Sequence, residues 1–294
     1  MRDKATRLVR QLLDRMDLEV TRKKSFDLGR YSSIYDADSI TNRRFYNVGA
    51  GTFSHPYWTN VDYQSDWYES NSTTAGSINY DLLALEPIPV EDSSAELFYT
   101  SHTVEHITND AAQNLFDECH RALKSDGLLR ITTPNVDLEY RAYKENDRDY
   151  FYWIDNYRSK SQWRRGSFSG PLTDATTAQV FLSHFATSMS SLHRDGAADR
   201  ISDAELASIF EELGKEGGLD HCISRCPLEI QRKFPGNHIN WWNFEKLARM
   251  LKAAGFEDVY ESGFGQSFAP PMRDTSQFDN THPKISIYVE ARKI

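Results

Sequence analysis

The segment Ser101-His102-Thr103-Val104-Glu105-His106 puts three side chains able to move protons or bind metal into six residues. His102 and His106 stand four apart, so on a helix they share one face, as two metal ligands would, with Glu105 pointing elsewhere. A free imidazole also titrates near neutrality, which suits a general base. His106 could equally pack at a helix start and bond a carbonyl. Upstream, Gly49-Ala50-Gly51, Asp62 and Asp81 each close a short apolar run. Glycines there let backbone approach a ligand closely. A carboxylate at Asp62 can accept hydrogen bonds from both hydroxyls of a ribose, and Asp81 is placed to reach an adenine amino group or a neighbouring polar atom. Each Asp could also simply cap a turn. No P-loop lysine follows the glycines, which disfavours a nucleoside triphosphate.

These residues need elements to position them. Apolar runs at 45–49, 58–62, 77–83, 95–101 and 128–133 read as five strands, the last stopped by Pro134. Residues 109–124 carry Ala112, Leu115, Phe116, Cys119 and Leu123 at helical spacing, and Gly127 lies past their end. A second strong helix is predicted over 243–254, closed by Gly255, with strands at 256–260 and 285–289 around it. Strands alternating with helices imply an α/β fold, a doubly wound and mostly parallel sheet. Ligands of such sheets bind outside the carboxyl ends of the strands, where the glycines, Asp62, Asp81 and Ser101-His102 all fall.

Between residues 136 and 237 the alternation breaks, and a helix is predicted over 202–213. This stretch reads as a large insertion forming a cap over the strand ends. It opens with aromatic residues from Tyr140 to Trp163, interleaved with basic ones ending in Arg164 and Arg165. Aromatic faces stack on sugar rings, and arginine forks bind phosphate or carboxylate. The same aromatics could instead form the core of the cap or a dimer interface. His238 enters the last large helix from the cap side, within reach of the site.

The motifs Asn47-Val-Gly-Ala-Gly-Thr52, Asn60-Val-Asp62, Tyr80-Asp81-Leu82, the 101–106 segment and Leu123-Lys-Ser-Asp-Gly-Leu-Leu-Arg130 occur in order. Together they resemble the class I S-adenosylmethionine-dependent methyltransferases, and within that class the predicted methyltransferases found near surface-glycan genes. The resemblance covers residues 45–135 and 238–294. It implies a Rossmann-like core with S-adenosylmethionine held by Asn47, Gly49, Ala50, Gly51, Asp62, Asp81, Leu82 and Ser101. Asn47 stands where the family usually has an acidic residue, and the 11 residues from Gly51 to Asp62 predict a shortened first helix. The expected reaction is methyl transfer to a hydroxyl of a sugar or glycan precursor. His102, His106 and His238 are then the candidate bases, and Trp163, Arg164 and Arg165 the candidate acceptor contacts. No metal ligand set is assigned; a divalent ion is an alternative use of the histidines. The other readings are an N- or O-methyltransferase of another small metabolite and a non-catalytic cofactor-binding scaffold of a glycan-assembly complex.

Composition narrows the rest. The 294 residues carry a net charge of −9. Residues 45–135 hold 3 basic and 13 acidic side chains, which would repel a nucleic-acid backbone. Residues 1–44 hold 11 basic and 7 acidic. There Leu8, Leu12, Leu13 and Met16 suggest a helical extension, packed on the domain or in weak contact with an anionic membrane surface. No apolar run approaches ~18 residues and no leader core is visible, so neither a membrane span nor secretion is expected. Three cysteines, Cys119, Cys222 and Cys226, fit a reducing cytoplasm rather than a disulfide scaffold. Nothing in the sequence sets the oligomeric state.

Overall fold

The structure, a computed structural model, describes residues 26–64 and 76–294. The expected basic helix around Leu8 to Met16 lies outside the described residues. Seven strands form one sheet: β1 Phe45–Val48, β2 Trp58–Asp62, β3 Ile78–Asn79, β4 Ala95–Ser101, β5 Leu123–Pro134, β6 Asp258–Glu261 and β7 Ser286–Arg292. Their order is β3-β2-β1-β4-β5-β7-β6. All neighbours are parallel except β7, which runs antiparallel to both β5 and β6. This is the Rossmann-like arrangement of the class I methyltransferases, as the motif order implied.

Alternation along the strands separates two packed faces. Val48, Val61, Phe98, Leu129, Ile131 and Val289 meet the helices Asn109–Ala122 and Phe244–Ala253 through Leu115, Phe116, Leu247 and Leu251. Phe45, Trp58, Leu97, Tyr99 and Leu128 point the other way, onto Tyr31, Met272 and Phe278. Each large side chain enclosed in this way contributes about 1.5–3 kcal/mol from area removed from water. The first helix is capped by Thr108, whose hydroxyl accepts from the Ala111 amide, and the second by Asn243, which accepts from Lys246 N.

Several boundaries differ from the sequence reading. β5 starts at Leu123, because the chain passes through Lys124–Gly127 in a kink with Asp126 at φ +63° rather than as a separate turn. β3 is only two residues long, since Asp81 turns the chain into the short 3₁₀ turn Leu82–Ala84. The helix expected over 202–213 runs Asp203–Ser224, bent at Gly214, whose φ of +69° only glycine adopts cheaply. The shortened helix expected between β1 and β2 is not formed: residues 49–57 run as turns and irregular chain, too few to close a helix and return to the sheet. Among the described residues, no helix is long and apolar enough to cross a membrane.

Residues of the 136–237 stretch pack mainly on one another. Phe151, Phe181, Phe185, Met189, Leu206, Phe210 and Leu219 form a second core, with Tyr140, Tyr143 and Trp163 against it. Trp241 belongs to this cluster while its neighbour Trp242 belongs to the sheet core, so the two cores meet at that dipeptide.

Candidate active site

β1 ends at Val48, and the chain turns sharply through Gly49 at φ +67°. A Cβ there would lie 2.1 Å from the Thr103 hydroxyl, so the approach of the β1 and β4 ends requires glycine. Gly51 also has positive φ, but a Cβ on it would meet nothing within 4 Å. Its backbone faces open space, and its N–H donates to Asp62 Oδ2 at 2.7 Å. Asp62 Oδ1 accepts from the Tyr63 amide. Burial raises the Asp62 carboxyl above its ordinary range, against the pull of those two amides. Asp81 caps the following turn by accepting from Leu83 N at 2.9 Å, and its other oxygen lies 3.6 Å from Arg232.

Around these strand ends lies a cavity of about 550 Å³. Gly49, Gly51, Asp62, Asp81 and Leu82 line it, as do His102 and His106. Asn47, Ala50 and Ser101 do not: Asn47 is buried in β1 with Oδ1 unpartnered, and Ser101 bonds to Thr132 across β4 and β5. The sequence reading missed Thr103, Tyr63, Tyr80 and Leu83, and also Gln231, Arg232 and Pro235 from the far end of the insertion. Their signal was weak, because only the fold brings residues 231–235 to the sheet.

The 101–106 segment departs most from expectation. His102 continues the β4 ladder, its N–H donating to Thr132 O at 2.8 Å, and then takes φ +51°. A 3₁₀ turn, Val104–His106, follows. His102 and His106 therefore do not share a helix face, and Glu105 does not point away. Its carboxylate is fully buried, with Oε2 accepting from Thr133 Oγ1 at 3.0 Å and Oε1 lying 3.1 Å from His102 Nδ1. That last contact is too bent for a hydrogen bond, and it leaves Oε1 without a hydrogen-bond partner. Burial alone would raise Glu105; His102 first, then His106 and His238, overcome it and hold the carboxyl well below its usual range. The Nε2 of His102 lies 2.7 Å from Ser286 Oγ, and which of the two donates depends on the ring's tautomer.

His106 donates through Nδ1 to Asn237 O at 2.9 Å, since a carbonyl can only accept. His238 donates in the same way to His184 O at 2.6 Å. The 238–240 segment is clipped to the turn by the amides of Ile239 and Asn240, which both donate to Glu105 O. Behind it, His184 Nδ1 meets Glu139 Oε1 at 2.6 Å. Burial pushes this histidine down to about 3 and raises the Glu139 carboxyl well above its usual range.

A second cavity, about 380 Å³, opens on the other side of these residues. Trp153, Asn156, Tyr157, His184, Asn237, His238 and His282 line it, together with His102, Glu105 and His106. His102 and His106 thus face both cavities. Trp163, Arg164 and Arg165 line neither; both arginines are exposed, and Arg164 stacks on Trp163.

Residues 49–131 match the family model of the methyltransferase domain. This part of the chain is a methyltransferase domain. The larger cavity fits the cofactor: open backbone at Gly51, a half-buried carboxylate at Asp62 and apolar walls from Val48, Leu82 and Ile107. No curated protein matches the chain. Among solved structures, it is similar to an S-adenosylmethionine-dependent methyltransferase from Thermotoga maritima, described as a possible histamine N-methyltransferase. The two are 14% identical over 85% of this chain and 82% of that one, with a TM-score of 0.39. A methyltransferase from Archaeoglobus fulgidus is 12% identical over 85% of each chain, with a TM-score of 0.38. At such scores the fold rests on the strand order itself.

Proposed function

We propose that the enzyme methylates a hydroxyl oxygen of a sugar or glycan precursor, with the 136–237 stretch supplying acceptor recognition. The observation that carries this reading is the position of His102 and His106 in the wall between two cavities. One cavity suits the donor. The other combines the aromatic faces of Trp153 and Tyr157 with Asn156, Ser183, Thr187 and Asn237, a lining suited to a ring bearing several hydroxyls. This shifts acceptor contact from Trp163, Arg164 and Arg165 to the cavity walls. The free state of all three cysteines supports a cytoplasmic setting.

S-adenosylmethionine, when bound, supplies a methyl group on a sulfonium that a nucleophile displaces. The chain's own residues do the rest. A hydroxyl is a weak nucleophile until its proton leaves, and His102, which lines both cavities and stands beside Glu105, is the first candidate base. The Glu105 carboxylate, 3.1 Å from His102 Nδ1, steadies the imidazolium by its charge once the proton arrives. The Glu105 backbone, anchored to Ile239 and Asn240, fixes the pair against the cap.

The test is release of S-adenosylhomocysteine with a panel of free sugars, nucleotide sugars and amines, with the methylated atom assigned by NMR. Methyl ether formation is expected, and His102→Gln should lower kcat by roughly 10²–10⁴ while leaving donor affinity intact. Turnover with amines alone would replace the hydroxyl reading, and no turnover with any acceptor would favour a scaffold.

A further inference from the structure

We propose that Glu105, His106 and His238 form a binding site for one zinc-like first-row divalent cation, with open coordination positions toward the acceptor cavity. Each residue offers one ligand atom, and the three atoms lie within 4.8 Å of one another. Ligands on a tetrahedral zinc stand about 3.4 Å apart, given metal–ligand distances near 2.1 Å. Closing the set on an ion therefore means drawing the ligand atoms together by about 1.4 Å or less.

The hydrogen bonds around the three residues leave the right atoms free. Histidines that bind metal usually donate their other ring N–H to a carbonyl or carboxylate, which fixes the tautomer. Both rings do so here: His106 Nδ1 to Asn237 O, and His238 Nδ1 to His184 O. The lone pair of each ring is thereby left on Nε2. The two rings meet edge to face, with centroids 4.7 Å apart. Glu105 completes the set. Its Oε2 is held by Thr133, while Oε1 is buried and has no hydrogen-bond partner. A buried carboxylate oxygen without a partner is costly unless a cation or donor satisfies it. His102, 3.1 Å away, remains as an outer group toward that oxygen.

The donor set indicates the class of ion. Two imidazoles and one carboxylate suit zinc, cobalt, manganese or iron, whereas magnesium and calcium favour oxygen ligands. Both backbone clips that hold the site, Ile239 N and Asn240 N to Glu105 O, join the sheet turn to the segment bearing His238. All three residues line the acceptor cavity. An ion there could bind a substrate hydroxyl and lower its pKa, which would complement removal of the proton. That role rests on the hydroxyl-transfer reading; the site itself does not. It replaces the His102 and His106 pairing, which a helix would have required.

The test uses the full chain, dialysed against chelator and titrated with Co²⁺ followed by absorption, then with Zn²⁺ in competition and metal content measured by mass spectrometry. One Co²⁺ per chain is expected, with visible d–d bands, no thiolate-to-cobalt charge transfer, and displacement by Zn²⁺. Glu105→Gln, His106→Ala and His238→Ala should each weaken binding at least 100-fold, and exposed His221→Ala should not. Far-UV circular dichroism reports whether each variant folds, and His238→Gln stands in for an alanine variant that does not. Three results overturn the proposal: no saturable binding by folded wild type, binding unchanged in the His106→Ala/His238→Ala double variant, or a charge-transfer band that moves the ion to Cys222 and Cys226. None of these readouts uses an acceptor, so failure of the metal site and failure of the hydroxyl-transfer reading are distinguishable.

Discussion

At Asp62 one carboxylate ties the glycine turn to the end of β2 and offers its charge to the donor cavity. Because burial raises its pKa, the charge is lost at a higher pH than for an exposed aspartate. Donor binding that relies on the ionised form should weaken as pH falls through this raised value and stay flat above it. Asp62→Asn should cost about 1.5–3 kcal/mol of donor affinity at neutral pH. It should also remove the acid-side decline. Calorimetry with S-adenosylhomocysteine across the acid range checks both, and a variant that keeps the wild-type pH slope would place the titration elsewhere. Asp62 and Asp81 were legible because each directly ends an apolar run, and that position alone places a residue at the strand ends. Glu105 was not legible. The spacing of His102 and His106 suggested helical geometry, but the left-handed φ of His102 turned the next residues inward. His184 and His282 had no local signal, and only tertiary packing brings them beside the site.

Between β5 and β7 the sheet encloses a charged group that strand patterning marks only as a polar interruption. Arg130 is fully buried, with Nε and Nη2 on the two oxygens of Asp279 at 3.0 and 2.6 Å and Nη1 on Glu290 Oε1 at 2.8 Å. Arg130 and Glu290 are direct cross-strand partners. Asp279 also accepts from Gly265 N, so the cluster ties the 262–279 loop to the sheet. Burying ions costs several kcal/mol each, and here two carboxylates depend on one guanidinium. Arg130→Met should therefore cost about 3–5 kcal/mol, by leaving the acids uncompensated. Urea unfolding would measure this. Adding Asp279→Asn and Glu290→Gln should recover part of the loss, and no recovery would mean that the packing of the Arg130 stem, rather than its charge, holds the loop. The motif order made the parallel half of the sheet readable. The antiparallel direction of β7 was not, since periodicity is the same in both directions.

The two cores of the molecule meet at Trp241 and Trp242, just past His238 and Asn240, and each cavity takes lining residues from both the sheet region and the 136–237 stretch. The division expected from the sequence gave the donor to residues 45–135 and 238–294 and the acceptor to 136–237. The break itself was legible because the strand–helix alternation stops at Pro134. Gln231, Arg232 and Pro235, from the far end of that stretch, line the cavity at the strand ends. Gln231 holds this corner by donating to His106 O and Asn237 O. Arg232, largely exposed, reaches Asp81 at 3.6 Å, a pair worth at most about 1 kcal/mol on its own. Donor product should therefore order this corner as well as the strand ends. Hydrogen exchange with and without S-adenosylhomocysteine should show added protection at residues 49–51, 62–64 and 81–83, and also at 231–237. The exposed 160–166 stretch, which lines neither cavity except at Gly166, should exchange at the same rate in both states. If protection stops at the strand ends, residues 231–237 do not close on the donor, and the insertion serves the acceptor cavity alone. If instead the 160–166 stretch gains protection, Trp163, Arg164 and Arg165 respond to the donor from outside the cavity walls, and the insertion moves as a body when the cofactor product binds.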